Sequence, residues 1–243
     1  LGHFMRTHAL GALVLRKLYG IPYAILIHGN DFKYGNTGRI ERIVGKWLLN
    51  NARLIIANSR FTGREISKCD YKGRVEILNP GVDSERFNPK VDIDEVKQKY
   101  HLDGKRVLTT VTRLVARKNV CTVLNALPRV IQRVPDIMYL IGGDGEEREK
   151  LELLCNKLGL QRYVRFLGYV DDEMLPSLYC ASDLFVLPSF DRDDGKDYDG
   201  FGISYIEANA CGKPVIGGRS GGVIEAVIDG ETGLLVNPQN VDE

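Results

Sequence analysis

No stretch of this 243-residue chain is apolar for long enough to cross a bilayer; runs such as Ala9–Leu15 fall far short of the ~20 residues a spanning helix needs. No C-x-x-C pair occurs either. The five cysteines (Cys69, Cys121, Cys155, Cys180, Cys211) are scattered and odd in number, which argues against a disulfide framework or structural zinc and for a reducing compartment. Only four histidines are present, and apart from the loose pair His3/His8 none has the helical spacing of a metal site. A cytoplasmic, metal-independent protein is the expectation. The nucleotide fingerprints G-x-G-x-x-G and G-x-x-x-x-G-K-[ST] are both missing, which removes the main support for a dehydrogenase or P-loop reading. No signal peptide is visible, and the chain starts at Leu1 rather than Met, so a missing start is expected.

What is present is ordinary globular composition, 44% hydrophobic and 27% charged, which excludes disordered, collagen-like and coiled-coil chains. The small net charge hides an asymmetry. Residues 1–90 carry 15 Lys and Arg against 7 Asp and Glu, whereas residues 91–243 carry 18 against 25. A basic half joined to an acidic half implies two surfaces with different partners, and the acidic half argues against nucleic-acid binding.

Strand-like runs alternate with helical periodicity along the whole chain. Strands are expected at Tyr23–Ile27, Arg53–Ala57, Val75–Leu78, Arg106–Thr112, Ile137–Ile141, Val164–Phe166, Leu184–Leu187, Pro214–Ile216 and Leu234–Val236. Periodic segments between them include Arg39–Asn51, Val120–Val134, Glu146–Leu158 and Phe201–Cys211. Such alternation makes parallel sheets through right-handed βαβ crossovers, an α/β fold. A break around residues 88–95 suggests two domains, 1–92 and 93–243. The first is short, has about three strands and opens inside a helix. The second ends in a polar stretch without a closing helix, so an internal piece of a longer protein is expected.

Open parallel sheets bind ligands beyond the carboxyl ends of their strands, so the residues there come first. After strand 106–112 stand Arg113, Arg117 and Lys118, either a cationic cradle for a diphosphate or a solvated helix start. Gly142-Gly143-Asp144-Gly145 follows the next strand and either admits a ligand to the backbone or simply makes a tight turn. Asp199-Gly200-Phe201-Gly202-Ile203 opens a helix, and Glu207 lies two turns inside it within an apolar run. A carboxylate there needs a dedicated partner: a ribose diol or an ion pair. Asp199 either joins that chemistry or caps the helix. The acidic, glycine-containing loop from Phe190 to Tyr198 is placed to cover a site. His28, at the end of strand 23–27, is either structural or able to reach a substrate hydroxyl.

Taken in order, these pieces resemble the retaining glycosyltransferases of family 4. The marks are Asn79-Pro80-Gly81-Val82-Asp83 with Arg86-Phe87 and Pro89, Thr112-Arg113-Leu114 with Lys118, Gly143-Asp144-Gly145, Asp199-Gly200-Phe201-Gly202 through Glu207-Ala208, Cys211-Gly212-Lys213-Pro214-Val215, Gly221-Gly222, and Gly230-Glu231-Thr232-Gly233-Leu234-Leu235-Val236. The resemblance implies the GT-B fold: two Rossmann-like domains facing a cleft, the N-terminal one incomplete. It also implies roles. Arg113 and Lys118 match the pair that holds the donor diphosphate and stabilises it as it leaves. Glu207 matches the second glutamate of the E-x7-E motif, which binds the ribose. Asp199 stands where the family usually has its first glutamate. Gly200, Phe201, Gly202 and Ile203 match the amides that meet sugar and phosphate, Val170 a backbone contact to the base, and His28 an acceptor-side histidine facing the transferred sugar.

The expected activity is therefore metal-independent, retaining transfer of a hexose from GDP-mannose or a UDP-hexose to a glycan or lipid-linked acceptor, with no cofactor. The inserted loop Asp191–Tyr198 and the Pro80-Gly81-Val82-Asp83 form of the first motif look similar to mannosyltransferases. A catalytically silent nucleotide-sugar-binding module is the alternative, raised by Asp199; an epimerase or phosphorylase-like relative fits less well. The basic first half, with the Arg39–Leu49 stripe containing the only Trp, is either a peripheral membrane contact at the inner face or an ordinary helix covering its sheet.

Overall fold

The computed structural model describes residues 2–29, 39–68, 71, 73–192 and 197–243, with backbone alone for 2–9 and 39–42. By internal contacts the chain forms two compact units, Leu1–Pro80 with Asp191–Phe201, and Gly81–Phe190 with Gly202–Glu243. Residues 81–92 thus stand in the second unit, ahead of the boundary expected at 92/93. The reason is local: Phe87 is buried beside Tyr179, and the Cys180 thiol donates to the Asn88 carbonyl.

In the first unit, α1 (Gly2–Tyr19), β1 (Ala24–Ile27), α2 (Arg39–Asn51), β2 (Leu54–Ala57), α3 (Arg60–Ser67) and β3 (Val75–Ile77) follow in turn. The strands form a parallel sheet in the order β1-β2-β3, with Ile25 opposite Ile55 and Ile55 opposite Val75. Strand side chains alternate between faces. Ile25, Ile27, Ile55 and Ala57 therefore share one core with Leu49, Ala52 and Ile66, while Ala24 and Leu26 are exposed on the other face. Ser59 starts α3 as its N-cap, accepting from the Thr62 amide at 3.0 Å.

The second unit holds α4 (Asp94–Tyr100), β4 (Arg106–Val111), α5 (Val120–Arg133), β5 (Ile137–Gly142), α6 (Arg148–Lys157), β6 (Val164–Gly168), α7 (Leu175–Ala181), β7 (Leu184–Leu187), α8 (Ile203–Ala210), β8 (Val215–Gly218), α9 (Val223–Ala226) and β9 (Gly233–Val236). Its six-stranded parallel sheet has the order β6-β5-β4-β7-β8-β9. All of β5 is buried, and its alternate residues enter two different cores. Ile137, Tyr139 and Ile141 pack with Val123, Leu124 and Leu127 of α5, whereas Met138 and Leu140 pack with Val107, Val170 and Leu178. A strand covered on both faces reads as a continuous apolar run, which is how Ile137–Ile141 stands in the sequence.

All nine expected strands are present, within a residue or two at their ends. Among the helices, α2 has its expected bounds, and α8 is shorter than expected because Gly202, at φ 100°, is its N-cap. The four short helices α3, α4, α7 and α9 span too few residues to show a period.

Candidate functional site

The order of the larger sheet contains one point at which connections run in opposite directions, between β4 and β7. Ligands of open α/β sheets bind at the carboxyl ends of the strands flanking such a switch point. Arg113 and Lys118 follow β4 there, the first exposed and the second half-buried at the end of the short 3-10 turn Ala116–Lys118. Asn119 comes next in a left-handed conformation, φ 56°, and fixes this segment. Its side-chain amide donates to the carbonyls of Pro188 (3.1 Å) and Pro238 (2.6 Å), and its Oδ1 accepts from the Thr122 hydroxyl at 2.8 Å. The Phe190 amide donates to the Arg117 carbonyl at 3.0 Å. The loops after β4, β7 and β9 are thereby tied together, and both cations ride on a rigid strand end.

The glycines after β5 have a protein partner for their close approach. A Cβ on Gly143 (φ 119°) would sit 1.8 Å from the Thr112 carbonyl oxygen, and one on Gly145 (φ 158°) 2.4 Å from that of Leu114. The Leu114 amide donates to the Asp144 carbonyl at 2.9 Å and the Glu147 amide to the Leu114 carbonyl at 2.9 Å. The glycine loop is thus a tight turn wrapped on the segment that carries Arg113.

Glu207 lies half-buried on α8. Among the described residues it makes no ion pair; instead the Tyr179 hydroxyl on α7 donates to its Oε2 at 3.1 Å. Burial raises the Glu207 carboxyl above its ordinary range, while the Tyr179 bond and the Arg86 charge pull it down and Asp172 pushes it up. Burial and the facing carboxylate drive the Tyr179 phenol far above its usual value. Neither Tyr179 nor the role of Arg86 was read from the sequence as a site feature. The available signal was a tyrosine inside the short apolar segment before β7, since a buried phenol needs an acceptor. Val170 is 6% exposed in the core with Leu140 and Leu178, which leaves its backbone as the group a ligand would meet.

The expected site residues fall in both units. Asp199, Gly200 and Phe201 belong to the first, whereas the sequence boundary put them in the second domain. The Gly200 backbone lies against the end of β1: a Cβ there would be 2.6 Å from the His28 carbonyl oxygen, 2.8 Å from the Gly29 Cα and 2.8 Å from the Asn58 side-chain nitrogen. His28 is exposed at this strand end, and Asp199 is buried at 7% exposure. No side chain caps α8, so Asp199 is not its N-cap. Gly202, Ile203 and Glu207 stand in the second unit with Arg113, Lys118 and Val170. Residues 193–196 of the acidic loop and the side chains of His3 and His8 lie outside the described residues.

Comparison with known proteins agrees across the chain. Residues 92–243 match the family described as glycosyl transferases group 1, and residues 1–86 match glycosyltransferase family 4. A GDP-mannose-dependent alpha-(1-6)-phosphatidylinositol monomannoside mannosyltransferase of Mycolicibacterium smegmatis is 38% identical over 195 residues, covering 79% of this chain and 51% of that protein. A D-inositol 3-phosphate glycosyltransferase of Corynebacterium urealyticum is 34% identical over 252 residues, covering 94% of this chain and 57% of that protein. The chain spans about half the length of the curated relatives it matches. Among solved structures, Anabaena HepE in complex with UDP and glucose superposes with a TM-score of 0.81 at 25% identity, covering 97% of this chain and 63% of that one. Sucrose-phosphate synthase of Thermosynechococcus elongatus gives 0.80 at 26% identity, covering 97% and 60%.

Proposed function

This chain belongs to the glycosyl transferases group 1 family, and on that footing we propose that it is part of a nucleotide-sugar-dependent hexosyltransferase. The observation that carries the reading is the placement of Arg113, Lys118 and Glu207 in one unit, the cations on the carboxyl end of β4 at the switch point. The two cations take the donor diphosphate, the carboxylate takes the ribose diol, and the Gly202–Ile203 end of α8 supplies amides.

Transfer breaks the bond between the sugar's anomeric carbon and the diphosphate oxygen, and negative charge develops on the leaving phosphate. Arg113 and Lys118 stabilise that charge, with no divalent metal in this reading. The acceptor hydroxyl attacks on the face the phosphate leaves, and its proton passes to the departing phosphate oxygen, so configuration is retained. His28 and Asp199, both in the first unit, are its candidates for sugar and acceptor hydroxyls.

GDP-mannose is the favoured donor, supported by the mannosyltransferase relative and by the inserted loop after β7; a UDP-hexose is the alternative. The same relative's name supports a lipid-linked acceptor. Peripheral contact with the inner membrane face fits the exposed Ile43, Lys46 and Trp47 on one side of α2, and no described helix is long and apolar enough to cross a membrane.

The test is calorimetric binding of GDP and UDP to the chain without divalent cation, beside Arg113→Ala/Lys118→Ala. Tight binding of one nucleotide, weakened at least about tenfold in the variant, is expected. Binding of neither by a folded chain would defeat the reading. Asp199 sustains the alternative of a silent binding module, which would bind nucleotide sugar but leave it unhydrolysed.

A further inference from the structure

Glu207 is held by a hydroxyl that is itself immobilised. The Tyr179 ring is 1% exposed and sits in an aromatic stack: Phe87 lies 6.1 Å from it, Phe185 lies 5.7 Å away edge-on, and Tyr205 lies 5.6 Å beyond Phe185. The Tyr205 hydroxyl donates to the Leu187 carbonyl, which anchors the far end on β7. Ring packing of this kind leaves the Tyr179 hydroxyl one place to be, 3.1 Å from Glu207 Oε2.

We propose that Tyr179 is a positioning residue for the donor ribose: its hydroxyl, donating to Glu207 Oε2, fixes the carboxylate and leaves Oε1 for the ribose diol. This rests on the assignment of Glu207 made above. A bond from a neutral phenol to a carboxylate is charge-assisted and favours the ionised form, the form that accepts two ribose hydroxyls. The other groups facing Glu207 are Arg86 from the loop after β3, Asp172 from the loop after β6, and the Cys211 thiol just beyond α8. Cys211 is pushed up to about 12, chiefly by burial, and so stays neutral. Tyr179 is the strongest influence lowering the Glu207 carboxyl. Without it the carboxyl holds its proton to higher pH, and ribose recognition fails from the acid side.

The experiment compares GDP and UDP with their 2′,3′-dideoxy forms in calorimetry from about pH 5 to 8, on the full chain and on Tyr179→Phe, with circular dichroism to establish folding. The unsubstituted chain should prefer the ribose form by about tenfold. In Tyr179→Phe that preference should fall below about threefold, the acid limb should move up by about one pH unit, and dideoxy affinity should stay unchanged. A folded Tyr179→Phe with preference and limb intact overturns the positioning role alone. Lack of ribose preference in the unsubstituted chain overturns the donor-site reading and this role together. Should Tyr179→Phe not fold, the Tyr179 Cζ resonance of the unsubstituted chain serves instead. It should move with the same pH midpoint as nucleotide affinity, and a flat titration overturns the role.

Discussion

The two units use the same βα alternation, yet they bury their sheets differently. The larger sheet has a core on each face, and its strand β5 has no exposed residue. Among the described residues, the smaller sheet packs Ile25, Ile27, Ile55 and Ala57 on one face, while Leu26 on the other is 48% exposed. Among the described residues, the burial on both faces expected of a parallel sheet is seen in the second unit. A doubly covered sheet holds its strand ends firmly, and the cations placed for a diphosphate ride on one of them.

That contrast breaks most sharply at glycines in the two units. Gly143→Ala places a Cβ 1.8 Å from a backbone oxygen at φ 119°, which neither loop can relieve, and about 3–5 kcal/mol of stability should be lost. Gly200→Ala meets the His28 carbonyl oxygen at 2.6 Å, a less severe approach than the 1.8 Å of Gly143 and without the positive φ. Hydrogen exchange should show lost protection in β4 and β5 for the first variant and a smaller loss, confined to β1 and β2, for the second. Equal losses would remove the distinction between the units.

Asn119→Ala should rank next. It deletes two bonds to carbonyls and a side chain suited to left-handed backbone, at a cost of about 2–3 kcal/mol in chemical denaturation. Donor affinity should fall with it, because Lys118 is the preceding residue; unaltered affinity would separate the tie from the site.

Glu207→Gln should give the smallest change in stability, and in the opposite direction. Burial raises this carboxyl, so the folded chain binds its proton more tightly than the unfolded chain does. The ionised form therefore costs stability above the folded-state value, and the cost disappears as pH falls below the ordinary glutamate range. The variant should melt about 1–3 °C higher at neutral pH, no higher near pH 4, and bind nucleotide more weakly. A lower melting temperature at neutral pH would mean the carboxylate is satisfied where it stands.

Much of this architecture was legible because period and punctuation act locally. Continuous apolar runs marked β5 and β7, a β-branched run marked β4, and a glycine turn marked the end of β5. The strand-end cations and Glu207 were legible for the same reason, as charges standing where an apolar pattern stops or is interrupted. What the sequence hid is long-range. Tyr179 meets Glu207 across 28 residues, Asn119 meets Pro238 across 119, and Gly200 approaches the end of β1 from far along the chain. No local pattern encodes such partners. The helix-cap alternative for Asp199 failed on the same ground, since it considered only the residue's neighbours in sequence.

The close approach of Gly200 to His28 and Gly29 also sets an order of events during synthesis. The first unit is discontinuous: its three described strands end at Ile77, but Asp191–Phe201 joins it only after more than a hundred further residues have been made. On the ribosome the strands of residues 24–77 must therefore wait for the segment that carries Gly200 while most of the second unit emerges. Dividing the gene at Pro80 would strand the missing piece on the other polypeptide.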